Sequence, residues 1–302
     1  MLHMVSYRYM IMKAEISNKT EESRRIAIQN LEALPTIPLV LTRVLEIVKD
    51  KNSSAKDLAQ LVSNDQSLMS ILLKLVNSAF YGHMRKISSI HQATVILGFN
   101  TVKSIALGAT IFQPEKTKAI QNRIDRKALW LHSLATAQTS KLMAQIVSYP
   151  DPDEAFIGGL LHDLGKVVLD ICFKDDFQEA YLLAKKGKKQ IIEIEKEIIG
   201  LDHAEAGHIL LTKWQLPITI SEGIRCHHSP MQATVIARNL ASIIHIANHI
   251  VRKLNIGTGK DEAIQEIDPQ SIKTLNLSEP DIKKITDEME EKREEIERFG
   301  SS

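Results

Sequence analysis

The sequence predicts an all-α protein. Apolar residues recur at helical spacing: Ile37, Leu41, Val44, Leu45 and Val48 fall at i, i+4, i+7, i+8 and i+11. Leu68, Ile71, Leu72, Leu75 and Val76 repeat the pattern, and period-2 runs of β-branched residues are scarce. In chain order, helices fit 22–33, 54–63, 88–111, 124–148, 153–173, 202–214, 217–228 and 234–253. The polar stretch QPEKTKAIQNRID (113–125) reads as a connector between a helical lobe at 26–112 and a second lobe at 126–255, with an N-terminal extension at 1–25. NIGTGKDEAIQEIDPQ (255–270) closes the second lobe as a looser segment, so 256–302 is expected to be a loop followed by an acidic helix. Ser278, followed by Glu and Pro, reads as the start of that helix. Between Glu279 and Arg298 it carries nine acidic and five basic residues, with Ile282, Ile285, Met289 and Ile296 as its apolar stripe. That stripe packs on the body of the protein or, as the alternative, on a second copy in a homodimer.

Composition narrows the function classes. The 302 residues are 44% hydrophobic and 25% charged, the range of a soluble globular protein, and the net charge is +1. No global positive field therefore points to nucleic acid or to an anionic membrane surface. Cys172 and Cys226 alone do not build a disulfide framework, so a reducing cytoplasm is the expected location. Arg8 and Lys13 interrupt any signal-peptide core, and no apolar run approaches the ~20 residues of a membrane helix.

The stretch AFIGGLLHDLGKVVLD (155–170) stands out. It is apolar enough for a buried helix, yet its centre holds Gly158, Gly159, His162, Asp163 and Gly165. A glycine within a helix costs about 1 kcal/mol relative to alanine, and a carboxylate in an apolar run must be paired, ligated or neutralised. Eight of the eleven histidines lie between 132 and 249. His132, His162, Asp163, His203, His227 and His228 are the candidates for chemistry, since imidazole and carboxylate are normal ligands of zinc, iron or manganese. His132 has small or apolar neighbours one turn away (Ala128, Leu129, Ala135 and Thr136), which places it on a buried face. Glycines around His162 let another backbone or an ion approach its ring. Neighbouring residues on a helix diverge by roughly 100°, so His162 and Asp163 share an ion only if it sits off the edge between them. Asn248, with Ile244 and Val251, points inward too.

Each candidate has a plainer reading. A buried histidine is commonly a hydrogen-bonded core residue, and Asp163 can pair with Lys166 at i+3. The His227-His228 doublet before Ser229-Pro230 suits a helix end. His245 and His249, at i and i+4, imitate a metal pair by helical spacing alone, and His208 reads as structural. Cys226 reads as a small buried hydrophobe rather than a thiolate ligand. KKGKK (185–189) reads as a solvated turn, and Gly158-Gly159 is no phosphate loop, since no strand precedes it and no GK[ST] follows.

The order His132, then His162-Asp163, then later histidines resembles the HD superfamily of metal-dependent phosphohydrolases. More specifically, the chain resembles the HDOD family, the HD-related output domain of bacterial signalling. The N-terminal stretches LPTIPLVLTRVLEIVKD, LLKLVNSAFYG and ISSIHQATVILGFNTVKSIAL carry the likeness. So do ALWLHSLATA, GGLLHDLGK, DHAEAGHILLTKWQLP and IRCHHSP in the second half, so that it spans about residues 30–253. The resemblance implies an N-terminal helical lobe packed on an HD-like helical lobe. It also implies a divalent ion held by His132, His162 and Asp163, with Asn248 where HD hydrolases carry a last Asp. His203, His227 and His228 resemble the additional ligands of the related HD-GYP phosphodiesterases, and Lys166 their phosphate-facing lysine.

The chain departs from that pattern in two places. SPMQA follows the His doublet where a DGxGYP-like stretch would stand, and Asn248 removes a carboxylate, leaving Asp163 as the one anionic ligand of the set. A less neutralised dication makes a poorer source of metal hydroxide. The expected function is therefore a regulatory, non-catalytic signalling protein that binds a protein partner or small ligand and holds iron, zinc or manganese. The alternative is a metal-dependent phosphohydrolase acting on a nucleotide or cyclic dinucleotide, with Asp163 and Lys166 at its centre. Direct nucleic-acid binding has only short basic runs in its favour.

Overall fold

The computed structural model describes residues 21–30, 43–44, 46–47, 50, 52–77, 87–112, 124–186, 189–257 and 263–301. Most of the Ile37–Val48 stripe, most of the 113–125 connector and part of KKGKK lie outside them, as do residues 1–20 of the expected extension.

Every regular element among the described residues is helical. The first is α1 (Glu21–Gln29), followed by α2 (Ala55–Ser63), α3 (Gln66–Val76), α4 (Ile90–Leu97) and α5 (Phe99–Phe112). Then come α6 (Arg126–Ile146), α7 (Pro152–Leu161), α8 (Leu164–Cys172), α9 (Lys174–Ala184) and α10 (Ile191–Ile199). The chain continues through α11 (His203–Lys213), α12 (Ile218–Arg225), a 3-10 turn at Pro230–Gln232, α13 (Val235–Lys253), α14 (Pro269–Leu275) and α15 (Glu279–Ser301).

The starts are written in the sequence. Ser54 and Asp57 form a capping box on α2, and Asp65, Ser89, Asp125, Asp151, Asp202 and Asp268 each accept from a backbone N–H of the helix they open. Asp151 and Asp268 are followed by Pro at the first helical position.

Helices α2–α5 pack on one another, and α5 carries that lobe onto α6, α7 and α8. The long helix α6 is the hub of the second lobe, bearing α7, α13 and α15 on its flanks. A buried ion pair between Arg126 and Asp170 (2.8 Å) ties the start of α6 to α8. One hydrophobic cluster runs through both lobes, from Leu58 and Leu72 to Leu134, Leu160 and Ile244.

Four expectations change. The helix expected at 88–111 breaks at Gly98, and that at 153–173 breaks at His162-Asp163. The 26–30 stretch, assigned to the N-terminal lobe, belongs to a helix packed on α11 and α8 of the second lobe. Ile28 is fully buried there, and Arg25 pairs with Glu205. Finally, the segment expected as a loop from 256 contains α14, nucleated by Asp268-Pro269. α15 lies on α6 with Ile285, Met289 and Ile296 buried, while Lys283–Asp287, Lys292–Glu288 and Arg293–Glu297 pair at i, i+4 along it. No helix among the described residues is long and apolar enough to cross a membrane.

Candidate metal centre

The break between α7 and α8 builds the site. His162 ends α7 and Asp163 is the residue before α8, so the two side chains are not bound to the 100° divergence of a continuous helix. Asp at such a position ordinarily caps the helix it precedes. Asp163 makes no capping bond; its carboxylate turns inward and is 1% exposed.

Around it stand histidines from three other places. Asp163 Oδ2 lies 3.7 Å from His132 Nε2 (α6) and 3.5 Å from His162 Nε2, and Oδ1 lies 3.4 Å from His203 Nε2 at the start of α11. His227 and His228 follow α12, and the ring of His227 is 5.2 Å from that of His162 and 5.5 Å from that of His203. Two sets of potential ligand atoms result, His132–His162–Asp163 and His203–His227–His228, each with its atoms within 4.8 Å of one another. Asp163 faces both sets with different oxygens.

The glycines allow this convergence. A Cβ on Gly165 would sit 1.7 Å from the carbonyl oxygen of His203 and 2.8 Å from the amide nitrogen of Gly207. One on Gly159 would meet the Thr136 carbonyl at 2.7 Å. Backbone fills the space that Gly159 and Gly165 leave, and it brings α6 and α11 close enough for His132 and His203 to reach Asp163.

The ring nitrogens are sorted. Nδ1 of His162 bonds the Gly159 carbonyl (2.7 Å) and Nδ1 of His227 the Ile224 carbonyl (2.7 Å). A carbonyl only accepts, so both rings carry their proton on Nδ1 and present a bare Nε2. Nδ1 of His203 bonds the Glu195 carboxylate (2.6 Å) and Nδ1 of His228 bonds the side chain of Gln265 (2.7 Å). The inner atoms of this group are orphaned: Nε2 of His132, His162 and His227 and Oδ1 of Asp163 are buried and make no hydrogen bond. Nε2 of His203 and His228 face each other at 3.0 Å, a contact that needs a proton or a cation between or beside them. Buried polar atoms are rarely left in this state. Imidazoles oriented through Nδ1 by carbonyl or carboxylate partners are the arrangement that serves a metal ion, and a set of His and Asp suits zinc, iron or manganese.

The protonation states agree with ligation. Burial holds His132 and His162 down to about 3 against the opposing pull of Asp163, and burial pushes His227 and His228 well below the ordinary value. Burial alone would raise the Asp163 carboxyl, but Lys166 and then His162, His203 and His132 hold it well below the usual range. Burial also opposes a charge on His203, yet the Glu195 carboxylate overcomes it and raises this one imidazole. In metal-free protein His203 then supplies the proton between its Nε2 and that of His228, and a bound cation would displace it.

A pH dependence follows. His132 and His162 titrate near 6.5 when unfolded and near 3 when folded. The unfolded chain therefore binds more protons between these values, and stability is lost as pH falls through 6.5. Thermal melts of chelator-treated protein are expected to show a loss of about 2 kcal/mol for each of the two residues between pH 8 and pH 5. His203, shifted the other way, contributes stability that is full below 6.5 and lost as pH rises through its folded value, which offsets part of this. A melting temperature unchanged between pH 8 and pH 5 would contradict the assigned burial of neutral imidazoles.

The remaining expected residues sort as follows. Lys166 sits 2.9 Å from Asp163 Oδ2, the i+3 pair anticipated from spacing. Asn248 is buried with an unbonded Oδ1 and lines, with His228, His245, His249 and Arg252, a cleft beside the centre. His245 and His249 do not form a metal pair: Nδ1 of His245 bonds the His227 carbonyl and Nδ1 of His249 the Gln265 carbonyl. His208 bonds the Ser221 carbonyl, and Cys226 packs with Ala233, Ala237 and Ala241.

Two partners of the histidines escaped sequence reasoning. Glu195 is fully buried and also accepts from the backbone N–H of His203 (2.9 Å). It stands at i+4 from Ile191 and i−4 from Ile199, so a carboxylate inside an apolar stripe was the available signal. Gln265 sits in an irregular polar stretch that offered none.

The family model for the HDOD domain matches residues 34–230. An uncharacterized protein of Treponema pallidum is 25% identical over 247 residues, covering 80% of this chain and 46% of its own length. The chain thus spans less than half of that curated relative. A crystal structure of an HDOD domain protein of unknown function from Geobacter sulfurreducens superposes with a TM-score of 0.68 at 23% identity, covering 94% of this chain and 99% of that one. A candidate phosphohydrolase from Shewanella amazonensis superposes at 0.66 with 20% identity, covering 91% and 97%. At these identities the two structures speak for the fold.

Proposed function

This chain belongs to the HDOD family, and on that premise we propose that it is a regulatory module of bacterial signalling whose centre holds divalent metal as a structural staple rather than as a catalyst. One observation carries the reading: four imidazoles with Nδ1 already engaged turn Nε2 inward around a buried carboxylate. His132, His162 and Asp163 would hold one ion, and His203, His227 and His228, with the other oxygen of Asp163, a second. A bound ion of this kind supplies cross-linking between helices and, where a coordination position stays open, Lewis acidity.

Closure supports the staple over the catalyst. His132, His162, Asp163, His203 and His227 are each at most 1% exposed, and His228 alone is half-buried. Structural metal sites are closed, whereas hydrolytic ones keep a position for water and substrate. The ions would lock α6, the α7–α8 break, α11 and the turn after α12 to one another, and the N-terminal lobe rests through α5 on α6, α7 and α8. That lobe, or the face it shares with the second, is the proposed docking place of a signalling protein or small ligand in the cytoplasm.

The second reading is a metal-dependent phosphohydrolase. It draws on Lys166 beside Asp163 and on the cleft lined by Asn248, Arg252 and His228. Manganese-, iron- or zinc-loaded protein assayed on cyclic dinucleotides, nucleotides and a generic phosphodiester decides between them. The expected result is no turnover that depends on the centre. Turnover abolished by Asp163→Ala would establish the hydrolase reading in its place.

A further inference from the structure

We propose that Gln265 is a positioning residue of the metal centre, supplied by a C-terminal strap outside the stretch matched by the family model, and that it sets the protonation and aim of His228. The inference rests on the metal reading above.

The side-chain nitrogen of Gln265 lies 2.6 Å from the backbone carbonyl of His228, and its Oε1 lies 2.7 Å from His228 Nδ1. The carbonyl can only accept, so the atom facing it must be the NH2 group, and the atom facing the imidazole must be the oxygen. Oxygen in turn only accepts, so Nδ1 of His228 must carry the ring proton. That leaves Nε2 of His228 as the lone pair facing His203, 3.0 Å away. Gln265 does for His228 what Glu195 does for His203 and what backbone carbonyls do for His162 and His227. Like His203, His228 has a side chain rather than a helix carbonyl at its Nδ1.

The strap, residues 263–268, is seated beside the centre. Ahead of it, Gly257 (φ +67°) approaches α6 so closely that a Cβ would lie 2.4 Å from the amide nitrogen of His132 and from the Ala128 carbonyl oxygen. Further on, the Arg252 guanidinium donates to the Ala263 carbonyl (3.2 Å), His249 bonds the Gln265 carbonyl (2.8 Å), and the Asp268 N–H donates to His245 Nε2 (3.0 Å). Nδ1 of His245 then donates to the backbone carbonyl of His227. These anchors use strap backbone, so the side chain of Gln265 can be changed without releasing the segment. The histidine pair His245 and His249, which imitates a metal site by spacing, thereby finds a use: it fastens the strap that delivers Gln265.

Two measurements on the full chain test the proposal. Nitrogen-15 NMR of the imidazoles in metal-free protein should show His228 protonated at Nδ1, and the Gln265→Leu variant should lose this preference. Zinc titration against a chromogenic chelator should give two ions for the wild type. The Leu variant should keep the ion of the His132–His162–Asp163 set and bind the other 10- to 100-fold more weakly, the range for loss of an outer partner. A wild-type His228 protonated at Nε2 overturns the proposal without recourse to any variant. A wild type that binds two zinc ions beside a Leu variant that binds both equally well overturns it while leaving the metal reading intact. A wild type that takes up no zinc overturns both.

Discussion

Asp163→Ala is expected to empty both halves of the centre. Among the described residues Asp163 is the carboxylate that faces the inward Nε2 atoms, with its two oxygens toward different sets, whereas Glu195 meets His203 from behind at Nδ1. Burial disfavours charge on four of the surrounding imidazoles, holding His132 and His162 down to about 3 and His227 and His228 well below the ordinary value. Without Asp163 the six-residue group keeps no formal negative charge of its own, while Lys166 stays beside it with the partner at 2.9 Å removed. Metal affinity should fall by more than the ~100-fold that marks loss of an outer partner. Competition with a chelator of known affinity measures this. A variant that still retains two ions would show that Asp163 is not the shared ligand.

Gly165→Ala is the substitution expected to damage the fold most. Its Cβ would fall 1.7 Å from the His203 carbonyl oxygen, and backbone cannot rotate aside as a side chain can. Overpacking costs roughly 1–3 kcal/mol where neighbours can yield, so at least ~3 kcal/mol is expected here. For a chain of this size that lowers the melting temperature by about 5 °C. Gly158→Ala is the control. Its Cβ would meet Cδ1 of Ile244 at 2.8 Å, the mobile tip of a side chain, and the residue gains helix propensity. The pair should therefore differ sharply although they lie in one motif. Equal melting temperatures would contradict the account of why the motif needs glycine.

The same motif shows where sequence reading succeeds and where it stops. His162-Asp163 was conspicuous because a carboxylate and glycines interrupt an apolar run. The break that frees the two side chains was not, because no proline marks it and apolar residues run up to it on both sides, Ala155–Leu161 before and, Lys166 aside, Leu164–Leu169 after. A continuous helix was the natural reading, and with it a constraint on ion sharing that the real chain escapes. Of the glycines expected to admit another backbone or an ion, Gly159 and Gly165 face backbone and Gly158 faces the side chain of Ile244.

The poverty of negative charge at the site was also read from Asn248. The fold answers part of it through Glu195, one residue removed from the centre through the ring of His203. Long-range pairing of this kind leaves at most a local trace, here a glutamate among isoleucines. Gln265 leaves none, since a glutamine in a polar loop is unremarkable until the chain has folded it onto His228. The helix caps, by contrast, are local chemistry, and Ser54-Asp57, Asp151-Pro152 and Ser278-Asp281 act within a few residues of themselves.

The central claim is that the inward-facing nitrogens and the Asp163 carboxylate exist to hold metal. Elemental analysis of the protein purified without chelator tests it most directly. Close to two ions of zinc, iron or manganese per chain are expected, lost together in Asp163→Ala. A fully folded wild-type protein carrying no metal, and taking none up on addition of these ions, would contradict it.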